Sequence, residues 1–256
     1  MSSETARKPL GGKVAIVTGA GKNIGRRIAE VLAADGATVI VNGRRDRAAI
    51  ETAAEEIRAA GGSAMPYLAD VSDPAEVAAM IAAVTAAHGG VDIAVSNAGL
   101  RRQTPFLKMD FAEWREILSV ALDGAFLLAK AVVPSMIARG GGAFVGMSGV
   151  SHHVGAKERV HVNASKAGLE GLVRGLAMEL AAHKITANAV APGMIATVRG
   201  AAAGSLPAEN RVATIPLGRA GSIDEVAALV RLLVGPEGAY ITGQTIHVNG
   251  GSFLAK

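Results

Sequence analysis

The chain contains no cysteine. Disulfides, thiolate nucleophiles and cysteine metal centres are therefore excluded, and a reducing compartment, the cytoplasm, is the expected location. Aromatic residues make up only 3%, with one tryptophan, two tyrosines and five phenylalanines. Net charge is a modest +4, with no basic stripe. Nucleic-acid binding wants a basic stripe with stacking aromatics, so it is not expected. No apolar run approaches the roughly 20 residues of a membrane span, and no secretory apolar segment precedes the first strand pattern. No Pro/Ser-rich or charged linker divides the chain. What it has in quantity is apolar residues, 50% of 256, and 32 glycines. That is enough for one large domain with an ample core. Residues Met1 to Leu10 read as a short polar tail, and 11–256 as the domain.

Strand and helix patterns alternate. Short β-branched runs lie at 13–18, 38–42, 64–69, 91–96, 143–147, 186–190 and 245–248, with helical patterns at 24–34, 47–60, 74–88, 111–139, 163–182 and 223–233 between them. Asp73-Pro74 offers an N-cap with proline at the first helical position, and Ser222-Ile223-Asp224-Glu225 a capping box. Gly36, Gly61 and Gly89 follow helix ends, where a left-handed residue is wanted. The alternation predicts an α/β fold: a single doubly wound Rossmann domain, three-layer α/β/α, with a seven-stranded parallel sheet. Such a sheet binds its ligand at the carboxyl edge, near the switch in strand order.

The first strand runs into Thr18-Gly19-Ala20-Gly21-Lys22-Asn23-Ile24-Gly25, a Gly-rich turn that opens a helix. Glycines let the backbone approach a pyrophosphate, whose charge then sits at the helix N-terminus. Asp70-Val71, Asn97-Ala98-Gly99, Pro192-Gly193 with Thr197, and Ile241-Thr242-Gly243-Gln244 follow in order, then Val248-Asn249-Gly250-Gly251. Together these resemble the short-chain dehydrogenase/reductase family, in its 3-oxoacyl-ACP-reductase-like form, from Gly12 to Phe253. Asn23 replaces the middle glycine of the family's T-G-x-x-x-G-x-G, which is tolerable because asparagine enters left-handed backbone more readily than most residues. The resemblance implies a nicotinamide dinucleotide. It places Asp70 and Val71 at the adenine, and Thr197, with Pro192 and Gly193, at the carboxamide.

NAD recognition usually places an acid after the second strand. Here that strand ends Val41-Asn42-Gly43-Arg44-Arg45, with Gly43 where the acid is sought. The Arg44 guanidinium suits a 2′-phosphate by charge and bidentate geometry, and Lys22 adds a second positive charge. NADP(H) is therefore expected over NAD(H). The bland alternative makes Arg44 and Arg45 solvated turn residues.

The family reduces carbonyls with a Tyr-x-x-x-Lys pair, a serine and an asparagine. Tyr and Lys four apart share a helix face, and the ammonium tunes the phenol and holds the nicotinamide ribose. Placed residue by residue, Lys166 remains, but Val162 stands for the tyrosine, Gly149 for the serine and Ala121 for the asparagine. Ser148 is one residue from the serine position. His161 adjoins Val162, although consecutive helical side chains point about a hundred degrees apart. His152 and His153 lie in the loop that normally carries the serine. These histidines are candidate acid/base groups or exposed loop residues. No metal is expected, because no carboxylate completes an obvious set.

Arg101, Arg102, Lys157 and Arg159, with Arg199 and Arg211 flanking the family's lid region at 201–206, border the expected site. Pointing inward they favour an anionic small-molecule substrate; pointing outward they are solvated charges. The long helices at 111–139 and 163–182 carry small apolar residues on one face, and the resemblance implies a homodimer or homotetramer built on them. Two functions stay open. One is an NADP-dependent carbonyl reductase or alcohol dehydrogenase with a non-standard active site. The other is a cofactor-binding regulatory or structural protein, or a non-redox enzyme such as a lyase using the loop histidines.

Overall fold

A computed structural model describes residues 8–198 and 212–254. The apolar runs of the sequence form seven strands: β1 Val14–Val17, β2 Thr38–Gly43, β3 Ser63–Leu68, β4 Ile93–Ser96, β5 Gly142–Met147, β6 Ile185–Pro192 and β7 Thr245–Val248. They make one parallel sheet in the order β3-β2-β1-β4-β5-β6-β7. The order reverses between β1 and β4, so the loops leaving those two strands part there and open the crevice of a doubly wound sheet.

Each face of the sheet has its own core. On one side lie α1 (Asn23–Ala34), α2 (Arg47–Ala59) and α8 (Ile223–Val234), burying Ile28, Leu32, Ile50 and Val230 against β1, β2 and β5. On the other lie α3 (Pro74–His88), α5 (Gly124–Ala138) and α7 (Val160–Leu180), burying Met80, Leu128, Met136 and Leu169. Leu10, at the end of the expected tail, is buried in the first of these cores. The punctuation works as the sequence suggests. Asp73 accepts from the amides of Ala75 and Glu76, Ser222 and Glu225 form a reciprocal capping box, and Gly36, Gly61 and Gly89 take φ of 100°, 81° and 75°.

Three departures matter for the site. The helix expected over 111–139 is α4 (Phe111–Leu118) joined to α5 by a π-turn, Ser119–Asp123, which contains Ala121. Such turns gather at functional sites. The run Phe111–Ala138 is also long and apolar enough to cross a membrane by length and composition, contrary to the sequence expectation. It serves instead as a layer helix, with Leu128, Val132 and Met136 in the core. Second, α7 begins at Val160 rather than 163, which brings His161 and Val162 into its first turn. Third, the segment after β5 holds a single helical turn, α6 (Ser151–Val154), carrying His152 and His153.

Candidate functional site

The crevice is stitched together by Thr18 and Asn97. The Thr18 hydroxyl accepts from the amides of Asn97 and Ala98 at 3.0 Å each. Asn97 Nδ2 returns hydrogen bonds to the carbonyls of Thr18 and Gly19 at 2.9 and 3.1 Å. The Gly-rich turn is thereby locked to the N-A-G loop. Gly19 (φ 62°) and Asn23 (φ 51°) are both left-handed, so asparagine does adopt the conformation the missing glycine would have supplied. Asn23 also uses its amide, exchanging two 2.9 Å hydrogen bonds with the backbone of Val198. At Gly25 a Cβ would lie 2.4 Å from both Asn97 Nδ2 and the Gly19 carbonyl, so no side chain fits.

The first turn of α1 is suited to a pyrophosphate. Helices α2, α3, α4 and α8 are each capped by a side chain, Asp46, Asp73, Asp110 or Ser222. α1 alone among these has none, and no acidic residue in its first turn. Its N–H groups around Lys22, Asn23, Ile24 and Gly25 are left for an external anion. Farther along the edge, a Cβ on Gly43 would meet Ile50 Cγ2 at 2.7 Å, and Ile50 is core. An acid for ribose hydroxyls therefore does not fit without displacing α2. Arg44 Nη1 stands 3.6 Å from Asp70 Oδ2 across the adenine end. Burial alone would raise the Asp70 carboxyl; hydrogen bonds from the Ser72 hydroxyl and amide, and the Arg44 charge, hold it below its ordinary value. Val71 is buried beside it. The described groups thus fit a dinucleotide.

At the other end, Lys166 Nζ donates to the Met147 carbonyl at 2.5 Å. A Cβ on Gly99 would lie 3.7 Å from that nitrogen, so the ammonium abuts the N-A-G loop. Burial pushes its pKa down to about 8, and the nearby Arg101 guanidinium adds to the shift. Val162, one turn earlier, is buried. Ala121 is buried in the π-turn, and a Cβ on Gly149 would find only the Pro192 carbonyl, at 3.9 Å. Pro192 and Gly193 end β6, and Thr197 follows them. Of the rim cations, Arg102 pairs with Glu116 at 2.6 Å, and Arg199 and Arg211 lie outside the described residues.

The other candidate acids are engaged elsewhere. His161 is fully buried; its Nε2 stands 3.2 Å from Glu113 Oε1, and its Nδ1 accepts from the Val162 amide at 3.0 Å. Both nitrogens are spent within the protein. Ser148 Oγ donates to Glu170 Oε1 at 2.7 Å. His152 Nε2 and His153 Nε2 each stand 3.2 Å from that same oxygen, and His152 Nδ1 faces the Gly149 carbonyl at 2.7 Å. Burial would raise the Glu170 carboxyl, but His152, Ser148 and His153 outweigh it and hold its pKa at about 2.

Glu170 overturns the expectation that no carboxylate accompanies these histidines. It is 4% exposed on α7, one turn beyond Lys166. The sequence carried a signal for it. Val162, Ser165, Leu169, Val173 and Ala177 mark the buried stripe of α7, and a carboxylate next to Leu169 on that stripe requires a partner.

The comparisons agree with this geometry. A family model described as enoyl-(acyl carrier protein) reductase matches residues 19–252. The chain is 39% identical over 242 residues to the 3-oxoacyl-[acyl-carrier-protein] reductase FabG of Staphylococcus aureus strain N315, covering 94% of this chain and 98% of that protein. It is 38% identical over 243 residues to the protein of the same name from Escherichia coli K12, covering 95% and 98%. A solved structure, a putative short-chain alcohol dehydrogenase from Sinorhizobium meliloti 1021, superposes with a TM-score of 0.90 at 35% identity, covering 96% of this chain and 98% of that one.

Proposed function

The chain belongs to the short-chain dehydrogenase/reductase family, and from that premise we propose that it is an NADP(H)-dependent carbonyl reductase or alcohol dehydrogenase whose proton comes from Lys166. The observation that carries this reading is the placement of that ammonium. It lies against the Gly99 loop with its pKa brought down to about 8, while His152, His153, His161 and Ser148 face Glu170 or Glu113. A general acid works best with a pKa near the working pH, and an ordinary lysine is far above it.

The first turn of α1 would hold the pyrophosphate, Arg44 with Lys22 the 2′-phosphate, Asp70 and Val71 the adenine, and Pro192, Gly193 and Thr197 the carboxamide. When bound, the reduced nicotinamide supplies a hydride to the carbonyl carbon. Lys166 Nζ gives a proton to the oxygen that becomes the alkoxide, and solvent recharges it. Arg101, close enough to Lys166 to lower its pKa, favours a substrate with an anionic group. The two acyl-carrier-protein reductases among the relatives suggest a 3-oxoacyl thioester, whose phosphopantetheine carries such a group. For assembly we propose a dimer or tetramer through α5 and α7, where Phe126 is 48% and Met178 85% exposed and Gly171 and Gly175 leave open space. The reducing cytoplasm suits such a chain.

A second reading, a cofactor-binding protein without redox turnover, is favoured by Val162, Gly149 and Ala121 standing together where the family has its hydroxyls and amide. One experiment separates the two. Carbonyl reduction is followed by NADPH consumption across a panel of 3-oxoacyl thioesters and simple ketones, for the natural protein and for Val162→Tyr plus Gly149→Ser. Slow turnover in the natural protein, with a further gain of at least about 10²–10⁴ in the double variant, supports the reductase. Turnover confined to the variant sinks it in favour of the second reading.

A further inference from the structure

The cluster around Glu170 has no part in the reaction just described. Three groups converge on one oxygen: Ser148 Oγ at 2.7 Å, and His152 Nε2 and His153 Nε2 at 3.2 Å each from Oε1. A carboxylate oxygen has two lone pairs. Moreover, His152 Nδ1 sits 2.7 Å from the Gly149 carbonyl, which can only accept, so Nδ1 carries the hydrogen. In the neutral ring Nε2 is then a lone pair aimed at a carboxylate. Protonating both rings sets two imidazolium ions, tilted 40° to each other, with centroids 3.8 Å apart, beside Arg174, whose Nη1 is 3.8 Å from Glu170 Oε2.

We propose that His152, His153 and Glu170 bind a divalent d-block cation, with Zn²⁺ the best match. The three ligand atoms lie within 4.8 Å of one another. Zinc bonds of roughly 2.0–2.1 Å place tetrahedral ligands roughly 3.3–3.4 Å apart, close to the two observed N···O separations. The supporting contacts a metal site requires are already made. The Gly149 carbonyl fixes the His152 tautomer, and Ser148 fixes the carboxylate. Two neutral imidazoles and one carboxylate select zinc-like ions over Mg²⁺ or Ca²⁺, which require oxygen shells.

A fourth group stands near. The His247 ring on β7 is 4.8 Å from that of His153, and its buried Nδ1 has no hydrogen-bond partner. Phe253 stacks on His153 at 4.8 Å and closes the side. With the His152, Glu170 and His153 side chains 7%, 4% and 21% exposed, the ion would be largely enclosed by protein. It pins the segment after β5 onto α7 and the end of β7.

The test uses the full chain without a histidine tag, stripped with chelator. Zn²⁺ titrated by calorimetry is expected to bind at one per chain with micromolar or tighter affinity and to raise the Tm by several degrees. Co²⁺ should give the intense visible bands of four-coordinate cobalt. Glu170→Gln and His153→Ala should each weaken Zn²⁺ at least tenfold, whereas His88→Ala and His183→Ala leave it unchanged. The cobalt spectrum of the natural protein keeps the proposal testable if the cluster variants misfold. Weak six-coordinate cobalt bands, or Zn²⁺ binding that tracks His88 and His183 instead, would overturn it and leave a proton-bridged ion pair as the account of the cluster. NADPH turnover enters neither readout, so failure here is separable from failure of the reductase reading.

Discussion

Lys166→Met keeps the length of the stem and removes the ammonium, and it should move stability and cofactor affinity in opposite directions. In the cofactor-free protein the ammonium is held at a pKa of about 8 against an ordinary 10.5. At 1.36 kcal/mol per pKa step, that burial costs on the order of 3 kcal/mol at pH 7. Removing it strands the Met147 carbonyl, which returns about 1 kcal/mol of the gain. The variant is therefore expected to be more stable by roughly 2 kcal/mol in urea melts at pH 7. Between pH 8 and 10.5 the unfolded chain holds this proton and the folded chain does not, so the natural protein gains stability as pH rises through that window. The variant should lack that rise. NADPH affinity behaves in the reverse sense. Loss of a charge-assisted hydrogen bond to the ribose costs roughly 1.5–3 kcal/mol, or about 10- to 150-fold in Kd by calorimetry. In the natural protein the affinity should weaken as pH climbs through about 8; in the variant it should stay flat. An unchanged Kd in Lys166→Met would show that the ammonium does not reach the cofactor. The nicotinamide half of the site would then be vestigial, and Lys166 could not be the proton donor.

Arg44→Asp turns attraction into repulsion at the 2′-phosphate and sets a second carboxylate near Asp70, so NADPH binding should weaken at least tenfold while NADH binding weakens less; equal or tighter NADPH binding by calorimetry would refute the assignment. Gly25→Ala drives a Cβ to 2.4 Å from the Gly19 carbonyl and Asn97 Nδ2, and should cost about 1–3 kcal/mol in thermal melts, with cofactor affinity falling too as the turn shifts. His161→Leu leaves Glu113 and the Val162 amide each short of a partner, and should lower stability by about 1–3 kcal/mol with NADPH affinity unchanged; a selective loss of turnover without loss of stability would restore His161 to the reaction.

The fold was legible because it rests on patterns every residue shares. Alternating β-branched runs and amphipathic helices, with Asp73, Ser222 and the helix-ending glycines as punctuation, suffice to mark seven parallel strands; their order in the sheet comes from the structure. The nucleotide framework was legible for a related reason. Gly19, Gly25 and Gly99 act through the backbone, and the Asn97 side chain bonds only to backbone carbonyls, so their spacing carries their geometry. The breaks were less so. A π-turn at Ser119–Asp123 leaves no periodicity signal, because one wide turn in an otherwise helical run shifts the apolar stripe by a single residue. The segment after β5 has a loop-like sequence because its four helical residues are too few to show a period.

The site's polar half was illegible because its contacts join residues far apart in sequence. Ser148 and Glu170 are 22 residues apart, and His161 and Glu113 are 48 apart. Adjacency alone makes His161 a candidate for the work of the missing phenol, and loop position does the same for His152 and His153. Side-chain direction decides otherwise, since each ring turns to a carboxylate supplied by another element. Val162 and Glu170 lie on α7 on either side of Lys166: Val162 offers no acid in the first turn, and the Glu170 charge one turn beyond Lys166 holds Ser148, His152 and His153. Lys166 then faces the crevice with the Arg101 guanidinium near it. Substituting the phenol alone leaves those three groups bound to Glu170, so Val162→Tyr without Gly149→Ser should recover the proton relay but not the hydrogen bond to the carbonyl oxygen. Its kcat is therefore expected to fall short of the double variant's by about 10²–10³, the effect of one lost oxyanion donor. Equal rates in the single and double variants would mean that Ser148 had left Glu170 to serve the substrate.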